Sequence, residues 1–287
     1  MSNSLHSPGR FSILPPIVKN LLILNILCFF ATIVLKNSLG IDLYDLLGLH
    51  YFKSSLFSPY QFITYMFMHG SFEHLFFNMF ALWMFGSTIE NVWGSKRFIV
   101  FYLITGIGAA LIHYFVIHLQ LYQDMALIQA SIYSPDVATL KELIRNHTFA
   151  LNEYSGDIWN QFVVFRENVH TLEVNPLNTA NKEQISEFLG LYLNHFVSLP
   201  NVVGASGSIY GLLLAFGMLF PNSRIYIYFL FPMKAKWFVI IFGVIELLSG
   251  IFSTGDGIAH FAHLGGMIFG LILILLWQKK SDSPYQQ

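Results

Sequence analysis

Charge is what this chain lacks. Only 11% of its 287 residues are Asp, Glu, Lys or Arg, against roughly 25% in soluble domains. That is too little to cover a water-soluble globule of this length. The 15 basic and 16 acidic side chains leave a formal net charge of −1, so there is none of the basic excess that nucleic-acid binding draws on. Cysteine is nearly missing as well. Cys28 stands alone in an apolar run, which excludes a disulfide framework and a thiolate metal site within the chain.

What the chain has instead is apolar surface. Hydrophobic residues make up 55% and aromatics 17%, with 29 Phe and a mean hydropathy of +0.57. An integral membrane protein follows from that balance. A crossing takes about 20 mostly apolar residues, and the candidate segments are 20–36, 73–92, 97–118, 205–220, 237–253 and 259–278. The first run, Leu21 to Leu35, follows Lys19 as a secretory signal would. Its flank Lys36-Asn37-Ser38-Leu39-Gly40 has no convincing small-residue cleavage site, and further spans follow, so it reads as a retained helix. Segment 205–220 is short, which predicts a helix that runs on or a site sunk below the membrane surface.

Six crossings place both termini on one side. Arg10, Lys19, Lys96, Arg97, Arg224, Lys234, Lys236, Lys279 and Lys280 share that face, 9 of the 15 basic residues, so it is expected to be cytoplasmic. The segment 119–203 falls on the opposite face with four basic residues against nine acids. Apolar residues recur there at helical spacing near 137–146 and 182–197. A connection this long implies a small subdomain or a functional lid. The expected organisation is therefore a cytoplasmic segment 1–19, core helices 1–3 over 20–118, an extracytoplasmic insertion 119–203, core helices 4–6 over 204–278 and a cytoplasmic tail 279–287. The fold class is an all-α polytopic membrane protein, a bundle of six transmembrane helices with that large insertion between helices 3 and 4. A plasma (inner) membrane location is expected.

Crossing parity concentrates the polar residues. Segments 2, 4 and 6 all run inward from the extracytoplasmic face. His69, His74 and Asn78 lie at the start of segment 2, Ser206 opens segment 4, and His260 and His263 open segment 6. Polar groups in hydrocarbon are expensive and mark functional sites, and these converge on one layer. Ser206 lies between Gly204 and Gly207, small neighbours that admit a substrate backbone, and a helix start supplies N–H groups for a developing oxyanion. A bland reading, small residues packing between helices, is open for the same motif. His263 precedes Gly265, Gly266 and Gly270. The i, i+4 pair Gly266/Gly270 could meet Gly211 and bring His263 within reach of Ser206 as a general base. Tyr210, one turn beyond Ser206, could pack on the imidazole. His74 and Asn78, also i, i+4, could donate to an oxyanion. His69 is expected to organise its loop, and His260 to be gating, structural or exposed. Of two acids, Glu246 counts as mid-segment 5 at the wrong depth and Asp256 as a solvated loop residue, so a Ser–His dyad is favoured.

Together these residues resemble the rhomboid family of intramembrane serine proteases. The resemblance rests on His69-Gly70-Ser71-Phe72-Glu73-His74-Leu75-Phe76-Phe77-Asn78-Met79, on Gly204-Ala205-Ser206-Gly207 with Tyr210, and on Ala262-His263-Leu264-Gly265-Gly266 with Gly270. It covers roughly 15–118 and 200–280. It implies Ser206 as nucleophile, His263 as general base, His74, Asn78 and the Ser206 amide as oxyanion hole, and Tyr210 supporting His263. It further implies transmembrane helices of other proteins as substrates, a lipid bilayer as the setting, and no metal or organic cofactor. The loop 253–258 would cap the site and segment 5 would act as a lateral gate. The 80-residue link between helices 3 and 4 departs from simple rhomboids and is expected to be a lid, an exosite or an inert subdomain. Two other functions compete: a non-catalytic membrane chaperone holding client helices, and metal binding or transport through His69, His74, His260 and His263. The oligomeric state is left open.

Overall fold

The computed structural model describes residues 11–227, 230–252 and 259–281. The expected cap at 253–258, with Asp256, lies outside the described residues. The chain divides into two compact units, one of residues 1–49, 59–114 and 202–287, the other of 50–58 and 115–201. The chain passes between them at the short strand β1 (Leu49–His50), between Ser58 and Pro59, within α6 (Ser95–Tyr133) and at the short strand β2 (Asn201–Val202).

The first unit is built on apolar helices. Among the described residues, four helices are long and apolar enough to cross a membrane: α1 (Pro16–Leu39), α6, α11 (Ala235–Phe252) and α12 (His260–Ser281), the last through Gln278. The chain is an integral membrane protein. α1 opens with Pro16, whose missing N–H costs nothing at a helix start. The next amides, of Ile17 and Val18, donate to the Glu90 carboxylate at 3.0 and 2.8 Å. Glu90 is buried on α5 (Ser87–Trp93), and an anion there satisfies orphan donors and complements the helix dipole. α1 ends at Gly40, whose φ of 67° forms a left-handed cap. Its outward side chains Ile23, Leu27, Phe30 and Val34 are exposed, as a lipid-facing surface requires.

Between α1 and the second core segment lie α2 (Leu43–Leu47) and α3 (Gln61–Thr64). The second segment is one helical run over 72–93, made of α4 (Phe72–Ala81), a π-helical turn (Leu82–Gly86) and α5. Ser71 caps it by accepting the His74 amide at 3.1 Å, and Gly94, at φ 76°, ends it. Arg97 then lies over the rings of Trp93 and Trp277, 5.0 and 4.3 Å from their centroids, a cation–π clamp joining α5, α6 and α12.

The second unit has a core of its own. α6 runs on to Tyr133 where the sequence predicts an end at 118. No proline interrupts it before Pro135, and at 39 residues it is about 58 Å long, nearly twice the ~30 Å hydrocarbon core. α7 (Val137–Asn146) and α9 (Thr179–Ser198) contain the two amphipathic patches, and α8 (Asp157–Val174) is a helix the periodicity did not single out. Asp136 caps α7 through the amides of Ala138 and Thr139, both at 3.0 Å. Phe149, Phe162, Phe165, Phe188 and Tyr192 stack into an aromatic core.

α10 (Ser206–Leu219) is the inner helix of the first unit, with 8 of its 14 residues buried. At about 21 Å it is shorter than the ~30 Å hydrocarbon core. It leads into the hairpin β3 (Arg224–Ile227) and β4 (Phe231–Lys234), paired antiparallel from Arg224 opposite Lys234. α10 and α12 touch backbone to backbone. A Cβ built on Gly266 would lie 1.8 Å from the Gly207 carbonyl oxygen, and one on Gly270 would lie 3.4 Å from Gly211 Cα. Only glycine at 266 permits this approach.

Candidate active site

The contact between α10 and α12 sets the site. Ser206 is the first residue of α10 and His263 lies one turn into α12. With the backbones in contact, His263 Nε2 comes 2.9 Å from Ser206 Oγ. Ser206 is half-buried and His263 only 8% exposed, so the pair is drier than bulk yet not sealed. The Tyr210 ring, one turn along α10, stacks on His263 with centroids 4.2 Å apart and planes 7° from parallel. That contact fixes the plane of the imidazole.

The chain ahead of Ser206 is held from the other side. Gly204 N–H donates to the Tyr65 carbonyl at 2.9 Å. Gly204 has φ 124°, and a Cβ there would meet the His74 ring at 2.7 Å and approach Asn78 Nδ2 at 3.7 Å. Glycine is required on both counts. His74 and Asn78, on one face of α4, therefore border the turn that leads into Ser206. Asn78 is buried, and among the described residues its Nδ2 has no acceptor. His69 lies edge-on to His74 with centroids 5.0 Å apart, and its carbonyl accepts the Tyr44 hydroxyl at 2.6 Å. It braces both the loop and its neighbour.

Glu246 is the residue the sequence misplaces. Counted along segment 5 it falls at the wrong depth. In the structure its Oε2 lies 2.6 Å from His260 Nδ1 and 2.9 Å from His263 Nδ1, and its Oε1 accepts the Tyr210 hydroxyl. α11 and α12 run in opposite directions through a short connection. Glu246 lies six residues before the last residue of α11, about 9 Å along its axis, and His263 three residues into α12, about 4.5 Å. The long Glu246 side chain reaches across the difference. The available signal was the rarity of a carboxylate in an apolar helix. His260 is 8% exposed and paired with Glu246, so the exposed reading of it is wrong.

Glu246, His260 and His263 also form the one group of possible metal ligands found among the described residues, with ligand atoms within 4.8 Å of one another. The 2.6 Å separation is a hydrogen bond and the 2.9 Å one a close charge contact. A first-row ion at about 2.0–2.2 Å from each donor would hold the donors farther apart, so the spacing suits shared protons better.

Parts of this chain are similar to known proteins. Rhomboid protease AarA of Providencia stuartii is 32% identical over 112 residues, 38% of this chain and 40% of that protein. Rhomboid-like protein 11, chloroplastic, of Arabidopsis thaliana is 40% identical over 58 residues, 20% of this chain and 21% of that one. The chain thus spans less than half the length of either relative. The family model described as Rhomboid domain matches residues 57–127 and 184–280, more than half of the chain and both faces of the Ser206–His263 pair. By that match the chain belongs to the rhomboid family.

Proposed function

We propose that the chain is an intramembrane serine endopeptidase that cleaves transmembrane segments of other membrane proteins. The observation that carries this is the 2.9 Å contact between His263 Nε2 and Ser206 Oγ at the start of α10. Ser206 Oγ attacks a peptide carbonyl while Nε2 takes its proton, and the carbonyl pair moves onto oxygen. The Ser206 amide, His74 and Asn78 Nδ2 are the donors placed to receive that charge. His263 then gives its proton to the leaving amine, and water resolves the acyl-enzyme.

Six crossings serve this reading: α1, the 72–93 run, α6, α10, α11 and α12, with both termini cytoplasmic and the chain in the plasma (inner) membrane. The short α10 lowers Ser206 beneath the extracytoplasmic surface, where the end of a substrate helix can unwind. Residues 119–203 form an extracytoplasmic insertion that recruits or screens substrates, between core helices over 20–118 and 204–278.

Cleavage of a panel of single-span proteins in proteoliposomes tests the proposal. Wild type is expected to release fragments cut near a helix end, and Ser206→Ala and His263→Ala to release none. Client helices retained without cleavage by all three forms would instead favour a non-catalytic helix-binding protein.

A further inference from the structure

Resting on the serine-peptidase reading, the inference concerns what orients His263. A carboxylate accepts on both oxygens, so a neighbouring N–H or O–H is favoured beside it and a lone pair is repelled. Tyr210 O–H donates to Oε1, and His260 and His263 each turn Nδ1 towards Oε2. A proton on Nδ1 of His263 leaves Nε2 as the bare nitrogen, and Nε2 faces Ser206 Oγ. The other tautomer would set a lone pair against the carboxylate and an N–H against the serine.

We infer that Glu246 is a positioning residue that completes a Ser206–His263–Glu246 chain, delivered from a different helix than the serine or the histidine. Glu246 fixes the tautomer and rotation of the ring, and Tyr210 stacking fixes its plane. When the Ser206 hydroxyl proton moves to Nε2 and Oγ bonds the carbonyl carbon, His263 becomes an imidazolium facing a carboxylate. Glu246 takes up no proton. It stabilises the charge that forms, as an orienting acid does in serine-protease triads. Tyr210 and His260 hold the carboxylate in turn, so it has hydrogen-bond partners where hydration is lost. A carboxylate that only tethered α11 would not need to lie 2.9 Å from the imidazole of the reacting pair.

The test measures kcat and KM on a cleaved transmembrane substrate, the rate of fluorophosphonate labelling, and the thermal midpoint, for the full chain in detergent. Glu246→Gln is expected to lower kcat and labelling by about 10²–10⁴-fold with KM and midpoint nearly unchanged, and Glu246→Asp to restore part of the loss. Wild-type rates in Glu246→Gln, while Ser206→Ala and His263→Ala are silent, would overturn the inference and leave the peptidase reading standing. A change confined to KM or to the midpoint would also overturn it. A wild type that neither labels nor cleaves would remove the peptidase reading itself. Should Glu246→Gln fail to fold, Tyr210→Phe decides: it keeps the stacked ring and removes one donor. A loss of about tenfold in kcat supports the role, and an unchanged kcat overturns it.

Discussion

Two histidines in this chain stand between a carboxylate and a hydroxyl at nearly the same distances. In the first unit His263 has Glu246 at Nδ1 and Ser206 at Nε2, both at 2.9 Å. In the second, His147 has Asp124 at Nδ1, 2.9 Å away, and the Tyr192 hydroxyl at Nε2, 2.7 Å away. Tyr192 also accepts the Ala150 amide at 3.0 Å. The difference lies around the hydroxyl. Tyr192 is fully buried in an aromatic core, with no room for a substrate. Ser206 is half-buried, begins a helix, and has glycines before and after it with His74 and Asn78 alongside. An acid–imidazole–hydroxyl chain is therefore not a site in itself. What sets Ser206 apart is its partial exposure at the start of a helix, after a turn bordered by His74 and Asn78.

That contrast breaks most sharply on activity. Ser206→Ala or His263→Ala is expected to lower cleavage by at least about 10³-fold, while His147→Phe leaves it within error, read as product release from the same proteoliposomes. Gly266→Ala comes next. A Cβ 1.8 Å from a backbone oxygen cannot be relieved by a side-chain rotation, so a loss of about 3 kcal/mol is expected in the thermal stability of the first unit. His147→Phe follows at about 1–2 kcal/mol, because the buried Tyr192 hydroxyl loses a hydrogen-bond partner. That cost should appear as faster hydrogen exchange in α7 and α9, with α10 and α12 unaltered.

The smallest effect concerns Asp136, which is partly exposed and outside the spans. Hydrogen bonds from the Thr139 amide and hydroxyl and from Ser134 hold its carboxyl below the usual carboxylate range. A depressed folded-state value means that its contribution is complete at neutral pH and is lost as pH falls through that value. Exchange at the start of α7 should therefore rise on acidification in wild type, and the added rise should vanish in Asp136→Ala.

Much of the helical arrangement is legible in the sequence because apolar runs in a membrane protein leave little choice of backbone. The approach of α10 to α12 is legible for a narrower reason: Gly266 and Gly270 recur at i, i+4 opposite Gly207 and Gly211. Glu246 is not, because counting residues places a Cα along its own helix and says nothing of tilt or of where a long side chain ends. Nor are α8 and the C-terminal half of α6. Both are helices whose burial comes from neighbours distant in sequence, such as Phe165 against Phe188, and their own period carries little of that.

The central claim is that Ser206 is a nucleophile made reactive by His263. Its most direct measurement is treatment of the detergent-solubilised full chain with a fluorescent fluorophosphonate, followed by peptide mass spectrometry to locate the adduct. The account predicts a single adduct on Ser206, absent from folded Ser206→Ala and His263→Ala. No adduct on folded wild type, or an adduct that persists in His263→Ala at the wild-type rate, would contradict it.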